Sequence, residues 1–262
     1  MKTIFTLLLF LLVLGSGFAQ KGSTYFYWGY NRAVFSNSNI YLRGPDYAFT
    51  VYNARAHDRP TKFGSVYFRP TTITIPQYVA RIGHFLTNRL HVSVGIDHMK
   101  YVVDDDQKVE ISGVIGNAAS PKYAGSYLFD TLALTADLLR FEHTDGLNLV
   151  SFDIEYLIPV FHKQRCRLGW NTGLGGVWMA TRTDSRIFGE GINNNFHVSG
   201  FSFHGKTGPR FELGKYLFFL FEARGGFATL PWIQTRNWEP YSAEQNFFFL
   251  EYYGAMGVKW RF

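Results

Sequence analysis

The run from Asn246 to Phe262 constrains this chain more than any other feature, because its chemistry switches at every residue. Phe248, Leu250, Tyr252, Gly254, Met256, Val258, Trp260 and Phe262 share one parity. Glu251, Gly257, Lys259 and Arg261 share the other. Successive side chains of a strand point to opposite faces. This segment therefore reads as a strand with one apolar, aromatic face and one charged, small face.

The same alternation recurs upstream, with no helical periodicity of useful length after residue 20. Strands are expected over Ser23–Ser36, Thr72–Leu86, Leu90–Val103, Asn148–Phe161, Arg165–Thr183, Phe196–Leu213, Tyr216–Thr229 and Asn246–Phe262. Three connections are short, near 87–89, 162–164 and 214–215. They alternate with long ones at 37–71, 104–147, 184–195 and 230–245. Bacterial outer-membrane barrels keep periplasmic turns short and extracellular loops long. The expected fold is all-β: an antiparallel up-and-down transmembrane β-barrel of about eight strands. An alternating stretch at Asp46–Asp58 leaves ten strands open as the alternative, or a hairpin standing above the membrane or folded into the mouth.

The charged parity carries Asp97, Asp153, Glu155, Arg165, Arg167, Lys206, Arg210, Glu212, Glu222, Arg224, Glu251 and Lys259. A soluble sandwich or lipocalin-like barrel needs apolar residues inside. Charges of both signs on one face suit a polar lumen surrounded by lipid. An eight-stranded barrel is just filled by its own side chains. A salt-bridged plug is thus the first expectation for the lumen, and a narrow charge-lined pore the second.

The N-terminus supplies the route to that destination. Lys2 precedes an apolar run from Ile4 to Leu14, and Gly17 and Ala19 sit where a signal peptidase reads. The run is shorter than the roughly 20 residues of a spanning helix. Residues 1–20 are expected to be a signal peptide and 21–262 the barrel, with long extracellular loops at 37–71 and 104–147. The 26 Phe and 16 Tyr fit interfacial aromatic girdles. The single cysteine, Cys166, excludes an internal disulfide and a cysteine-based zinc site. The net charge of +6 is scattered, so nucleic acid is excluded as a partner, while anionic lipopolysaccharide fits it.

Candidate chemistry is sparse. Glu142, His143 and Asp145 lie close enough in sequence to suggest a divalent-cation site, with Ca2+ the candidate ion. Asp145-Gly146 is equally a turn signal. Asp97-His98 with Asp104–Asp106 is a weaker metal candidate, the Asp run marking a loop tip. His197 and Ser199 fall by parity on the lipid-facing set with Phe201 and Phe203. A hydroxyl beside an imidazole is the arrangement a nucleophile needs. This His–x–Ser pair resembles outer-membrane lipid A deacylases, which implies catalytic roles for His197 and Ser199, with Glu222 or Glu190 as the acid.

Four stretches carry a wider resemblance: Tyr27–Arg32, Gly95–Tyr101, Phe141–Asn148 and the Phe-rich close. The whole mature chain resembles a family of small bacterial outer-membrane barrels for which no activity is assigned. In architecture it is similar to the eight-stranded group of the OmpA membrane domain, OmpX-like adhesion barrels and lipid A-modifying barrels. That resemblance implies outer-membrane lipids and lipopolysaccharide as surroundings. It also implies recognition of the terminal Phe262 by the barrel-assembly machinery. Two functions are expected: a non-enzymatic barrel presenting its loops for binding or envelope integrity, or a lipid A-modifying hydrolase or acyltransferase.

Overall fold

The computed structural model describes residues 20–191, 196–236 and 240–261. The expected signal segment up to residue 19, and Phe262, lie outside the described residues. Among the described residues fourteen strands run in chain order. They are β1 (Ser23–Phe35), β2 (Ser38–Gly44), β3 (Tyr47–Ala54), β4 (Ala56–His57), β5 (Tyr78–Phe85), β6 (Leu90–Val103) and β7 (Gln107–Ile115). The second half holds β8 (Gly125–Leu134), β9 (Leu139–Lys163), β10 (Cys166–Thr181), β11 (Asp184–Ile187), β12 (His197–Leu213), β13 (Leu217–Gln234) and β14 (Ser242–Arg261). Among the described residues no helix is long and apolar enough to cross a membrane.

Eight strands close a ring. The order β1-β5-β6-β9-β10-β12-β13-β14 is antiparallel throughout, and β14 pairs back onto β1 from Ser23↔Arg261 to Phe35↔Phe249. Closure leaves no edge, which lets a sheet cross a membrane with every backbone group paired. Along each wall strand the alternation is kept: Phe152, Ile154 and Tyr156 are exposed while Ser151, Asp153 and Glu155 are buried. The fold is the expected transmembrane β-barrel, with eight strands in the wall.

The long connections are not open loops. At the end opposite the tight turns, β14 runs on past β1, and its residues Ser242–Asn246 pair with Arg43–Asn39 of β2. From there the ladder continues β2-β3-β7-β8, a four-stranded head standing on the wall. The hairpin at Asp46–Asp58 therefore joins the head and adds nothing to the ring. Two smaller pairings brace the same end, β11 on β9 at Asp184↔Glu142 and β4 on β6 at Ala56↔Val103. One face of the head sheet buries Ile40, Leu42, Phe49, Val51, Val109 and Ile111. These form one cluster with Met99, Leu149, Met179, Leu230 and Phe247 from the barrel mouth. Head and mouth share a single apolar core.

Three further expectations are corrected. The segment read as a strand from Thr72 pairs only from Tyr78, because Pro76 has no N–H to give a ladder. The strand read from Asn148 begins at Leu139, so Asp145-Gly146 is not a turn but part of an irregularity opposite Met99 and Tyr101. Arg165 lies exposed in the turn between β9 and β10, where strand parity no longer fixes direction.

Candidate functional site

The lumen is filled in layers below the apolar core. In the middle layer Asp97 accepts from Arg81 Nη2 at 2.8 Å and from Arg224 Nη1. Arg81 Nη1 reaches Asp153 at 2.8 Å, and Lys206 bridges Asp153 at 3.0 Å and Glu155 at 2.9 Å. Arg224 also meets Glu251 at 3.3 Å, whose Oε1 takes Asn31 Nδ2 at 2.7 Å. Asn171 Nδ2 donates to Glu155 at 2.7 Å and to Glu222 at 2.6 Å. Arg81, Asp97, Asp153, Lys206 and Arg224 are fully buried side chains.

Two glycines make room for these groups. A Cβ on Gly175 would sit 2.0 Å from Asp153 Oδ1, and one on Gly95 would sit 2.3 Å from Arg81 Nε. Aromatic rings close the next layer. Tyr25, Phe85 and Phe218 surround Arg210, whose guanidinium lies 3.7 Å from the Phe218 ring centre. A desolvated cation over an aromatic face is attracted by the ring quadrupole. At the end with the tight turns, Glu212 gathers Arg210 at 3.1 Å, Arg167 at 3.3 Å and Lys259. Gln20 completes this layer, donating from Nε2 to both Glu212 oxygens at 2.8 Å and accepting from Lys259 at 2.9 Å.

Among the described residues the charged side chains of the middle layer, Arg81, Asp97, Asp153, Lys206 and Arg224, are fully buried between the apolar mouth and the aromatic layer. The geometry matches the salt-bridged plug expected from the sequence. Arg81, Tyr25, Tyr27 and His204 belong to the filling but were not among the charges read from the alternation. Extending the same parity finds each of them: Arg81 with Val79 and Gly83, Tyr25 and Tyr27 with Asn31, and His204 with Lys206.

The candidate catalytic residues do not assemble. Met179 pairs with Gly200 and Ala180 with Val198, so Ser199 is an extra residue at a bulge. The bulge breaks the parity that placed Ser199 toward lipid; Ser199 turns inward, is 0% exposed, and donates to Met179 O at 3.2 Å. His197 Nε2 instead accepts from the Gln234 backbone at 3.1 Å. Glu222 lies seven residues along β13 from Thr229, the partner of Phe201, and is bound by Asn171 and Tyr253. Seven residues of strand span about 23 Å.

The candidate metal trio is also spread. Glu142 is taken by Arg59 at 3.0 Å and Arg140 at 3.3 Å. His143 is fully buried, with Nδ1 against the Thr183 hydroxyl at 2.9 Å and Nε2 donating to Gln245 Oε1 at 3.2 Å. Gln245 in turn donates to Tyr101 at 2.7 Å and Ser38 at 3.0 Å, so both His143 nitrogens serve a polar knot in the core. Asp145 is exposed, 3.9 Å from Arg182. Among the described residues no group of three His, Cys, Asp or Glu side chains is placed to hold a metal ion.

No family model and no curated protein matches the chain. Solved structures similar to it include the outer membrane protein OprG from Pseudomonas aeruginosa, with 9% identity, 93% of this chain and 98% of that chain covered, and a TM-score of 0.41. Ail of Yersinia pestis shows 12% identity over 92% and 99% of the two chains, with a TM-score of 0.32. The outer membrane protease OmpT from Escherichia coli shows 6% identity over 91% and 96%, with a TM-score of 0.27. The barrel assignment rests on the β1–β14 closure and the outward apolar face; these likenesses stand beside it.

Proposed function

We propose that this chain is a non-enzymatic outer-membrane barrel that carries a folded extracellular head for binding or envelope integrity. The apolar core shared by the head sheet and the barrel mouth carries the reading. A barrel that only conducted solutes would keep its mouth open, whereas here the mouth is spent on fixing the head. The sealed ion network below points the same way. In this orientation the tight turns face the periplasm and Phe262 is the signal offered to the assembly machinery.

The reading is tested by reconstituting the purified chain in planar bilayers and labelling intact cells with a membrane-impermeant amine reagent. No stepwise conductance is expected, and Lys108 and Lys122 of the head are expected to react from outside. Steady channel openings, or protection of both lysines on intact cells, would overturn it. Lipid A is expected to keep the same acyl pattern with and without the gene. A mass shift that His197→Ala abolishes would replace this reading with a hydrolase.

Gln20 refines the expected processing site. Its side chain holds Glu212 and Lys259 inside the barrel, and its backbone N–H donates to Asn88 Oδ1 at 3.0 Å. A cut after residue 20 would remove these bonds. Cleavage is expected after Ala19, with Gln20 as the first mature residue. Intact mass of the protein from membranes checks this, and a chain starting at Lys21 would refute it.

A further inference from the structure

The segment from Asp58 to Gln77, between β4 and β5, does not lie over the mouth. It folds back against the outer wall. Tyr30 Oη donates to the Tyr67 carbonyl, and the two rings lie 4.7 Å apart. Arg32 Nη2 donates to Tyr67 Oη at 3.2 Å, Lys100 Nζ to Thr61 Oγ1 at 3.1 Å, and Asn31 N to Gln77 O at 3.3 Å. Tyr30, Arg32 and Lys100 belong to the outward parity of β1 and β6. Directly below them on that parity Trp28 stacks on Tyr78 at 4.7 Å, and Tyr78 on His98 at 5.6 Å. Stacked Trp and Tyr on a barrel wall mark the lipid–water interface. The segment is thus a ledge at headgroup height on one side of the barrel.

The ledge turns its apolar groups outward. Phe63 is 80% exposed, Phe68 70% and Ile75 51%, the range of the lipid-facing Phe203 at 70% and Phe248 at 63%. Phe63 and Phe68 stand edge to face, 5.8 Å apart. Its charge is of one sign. Arg59, Lys62 and Arg69 lie on it, and the sequence holds no acid between Asp58 and Asp97. Asp58 is directed at the wall, accepting from the Ala33 N–H at 3.2 Å and from Gln77. Burial raises its carboxyl above the usual range. Lys62 and Arg69 are exposed, and among the described residues neither has a carboxylate partner.

Exposed phenyl rings beside unpaired cations suit one environment: rings in the acyl boundary and cations against lipid phosphate. We propose that the 58–77 ledge is a lipid-binding surface that seats the phosphates of outer-leaflet lipid A on Lys62 and Arg69, with Phe63 and Phe68 inserted among its acyl chains. Arg32 and Lys100 back the same surface with positive charge, while Arg59 is paired with Glu142 at 3.0 Å. The assignment to lipid A rests on the outer-membrane reading above, which puts a phosphorylated glycolipid at this height.

The test compares binding of doubly phosphorylated and phosphate-stripped lipid A to the folded full chain in neutral detergent micelles, followed by tryptophan emission. Lys62→Glu/Arg69→Glu is expected to weaken binding of the phosphorylated form by more than roughly thirtyfold, the weight of two basic groups lost at an anionic surface before the repulsion of the two added carboxylates. Phe63→Ser/Phe68→Ser is expected to weaken both forms. Arg43→Glu/Lys108→Glu, the same charge change on the exposed face of the head sheet, is expected to leave binding unchanged. All the replaced side chains are exposed, and heat-modifiable gel mobility confirms that each variant is folded. Equal affinity for the stripped lipid, an unaffected ledge variant, or preference for phosphatidylglycerol vesicles would each overturn the assignment. Fractionation of the same cells separates the two readings. A wild type absent from the outer membrane overturns the proposed function. One present there without phosphate-dependent binding overturns the ledge alone.

Discussion

Asp97→Ala is expected to destabilise the barrel by about 3–5 kcal/mol, the cost of stranding a buried charge. Asp97 is the carboxylate that Arg81 and Arg224 share, and all three side chains are 0% exposed. Without it Arg81 keeps Asp153 at 2.8 Å and Ser151 at 2.8 Å. Among the described residues Arg224 keeps only the ion pair with Glu251 at 3.3 Å, a carboxylate already engaged by Asn31. The attraction lost is large because all three groups are fully buried, where charges interact through a low dielectric. Buried ion pairs are nevertheless weak net stabilisers, since desolvation offsets most of their Coulomb energy. Removing the second charge should therefore recover stability. Asp97→Ala/Arg224→Met is expected to be more stable than Asp97→Ala alone, although it lacks one more ion pair. Urea unfolding in lipid vesicles measures both. A double variant less stable than the single would mean that the network contributes net stability through its pairs, and the offset by desolvation would be wrong.

The wall of this barrel was legible because each strand keeps one alternation through its lipid-crossing stretch, away from the bulges. Glu251, Arg224 and Asp153 could be placed in the lumen from parity alone, since a one-residue slip would drive each into lipid. The head was not legible for the converse reason. Strands β2, β3 and β7 bury one face against the mouth and give the other to water, β8 is exposed along most of its length, and the apolar runs, such as Ile40 with Leu42 or Val109 with Ile111, are short. Such runs fit a loop as well as a strand until the partner is known. Ser199 failed by a different cause. A single bulge at the top of β12 shifts the parity of everything above it, and no residue type there announces it. The 58–77 ledge is a third case. Its aromatic and basic residues are visible in the sequence, but their meaning depends on which surface the segment packs against, and that is set by Tyr30, Arg32 and Lys100 on distant strands.

Phe49→Ala should open the head and spare the barrel. Phe49 is 1% exposed on β3, with its ring 5.9 Å from those of Tyr47 and Phe188. Truncating a buried Phe costs about 3–5 kcal/mol through lost transfer energy and the cavity left behind. Two effects compete over where that cost falls. The shared core would spread it into the mouth, through Phe247, Met179 and Leu230. The ring confines it, because the wall strands sit in lipid, where an unpaired backbone group has no water to turn to. The head ladder has no such compulsion. Among the described residues its ladder joins the ring ladder only along Ser242–Asn246, and its strands face water on one side. The ring is therefore expected to hold while the head opens locally. Proteolysis within 37–56 and 107–134 should speed up by roughly two orders of magnitude, following the lost local stability. The heat-modifiable gel mobility of the barrel should remain. If the urea midpoint of the barrel falls in step with head proteolysis, head and wall unfold as one cooperative unit, and the shared core outweighs the ring.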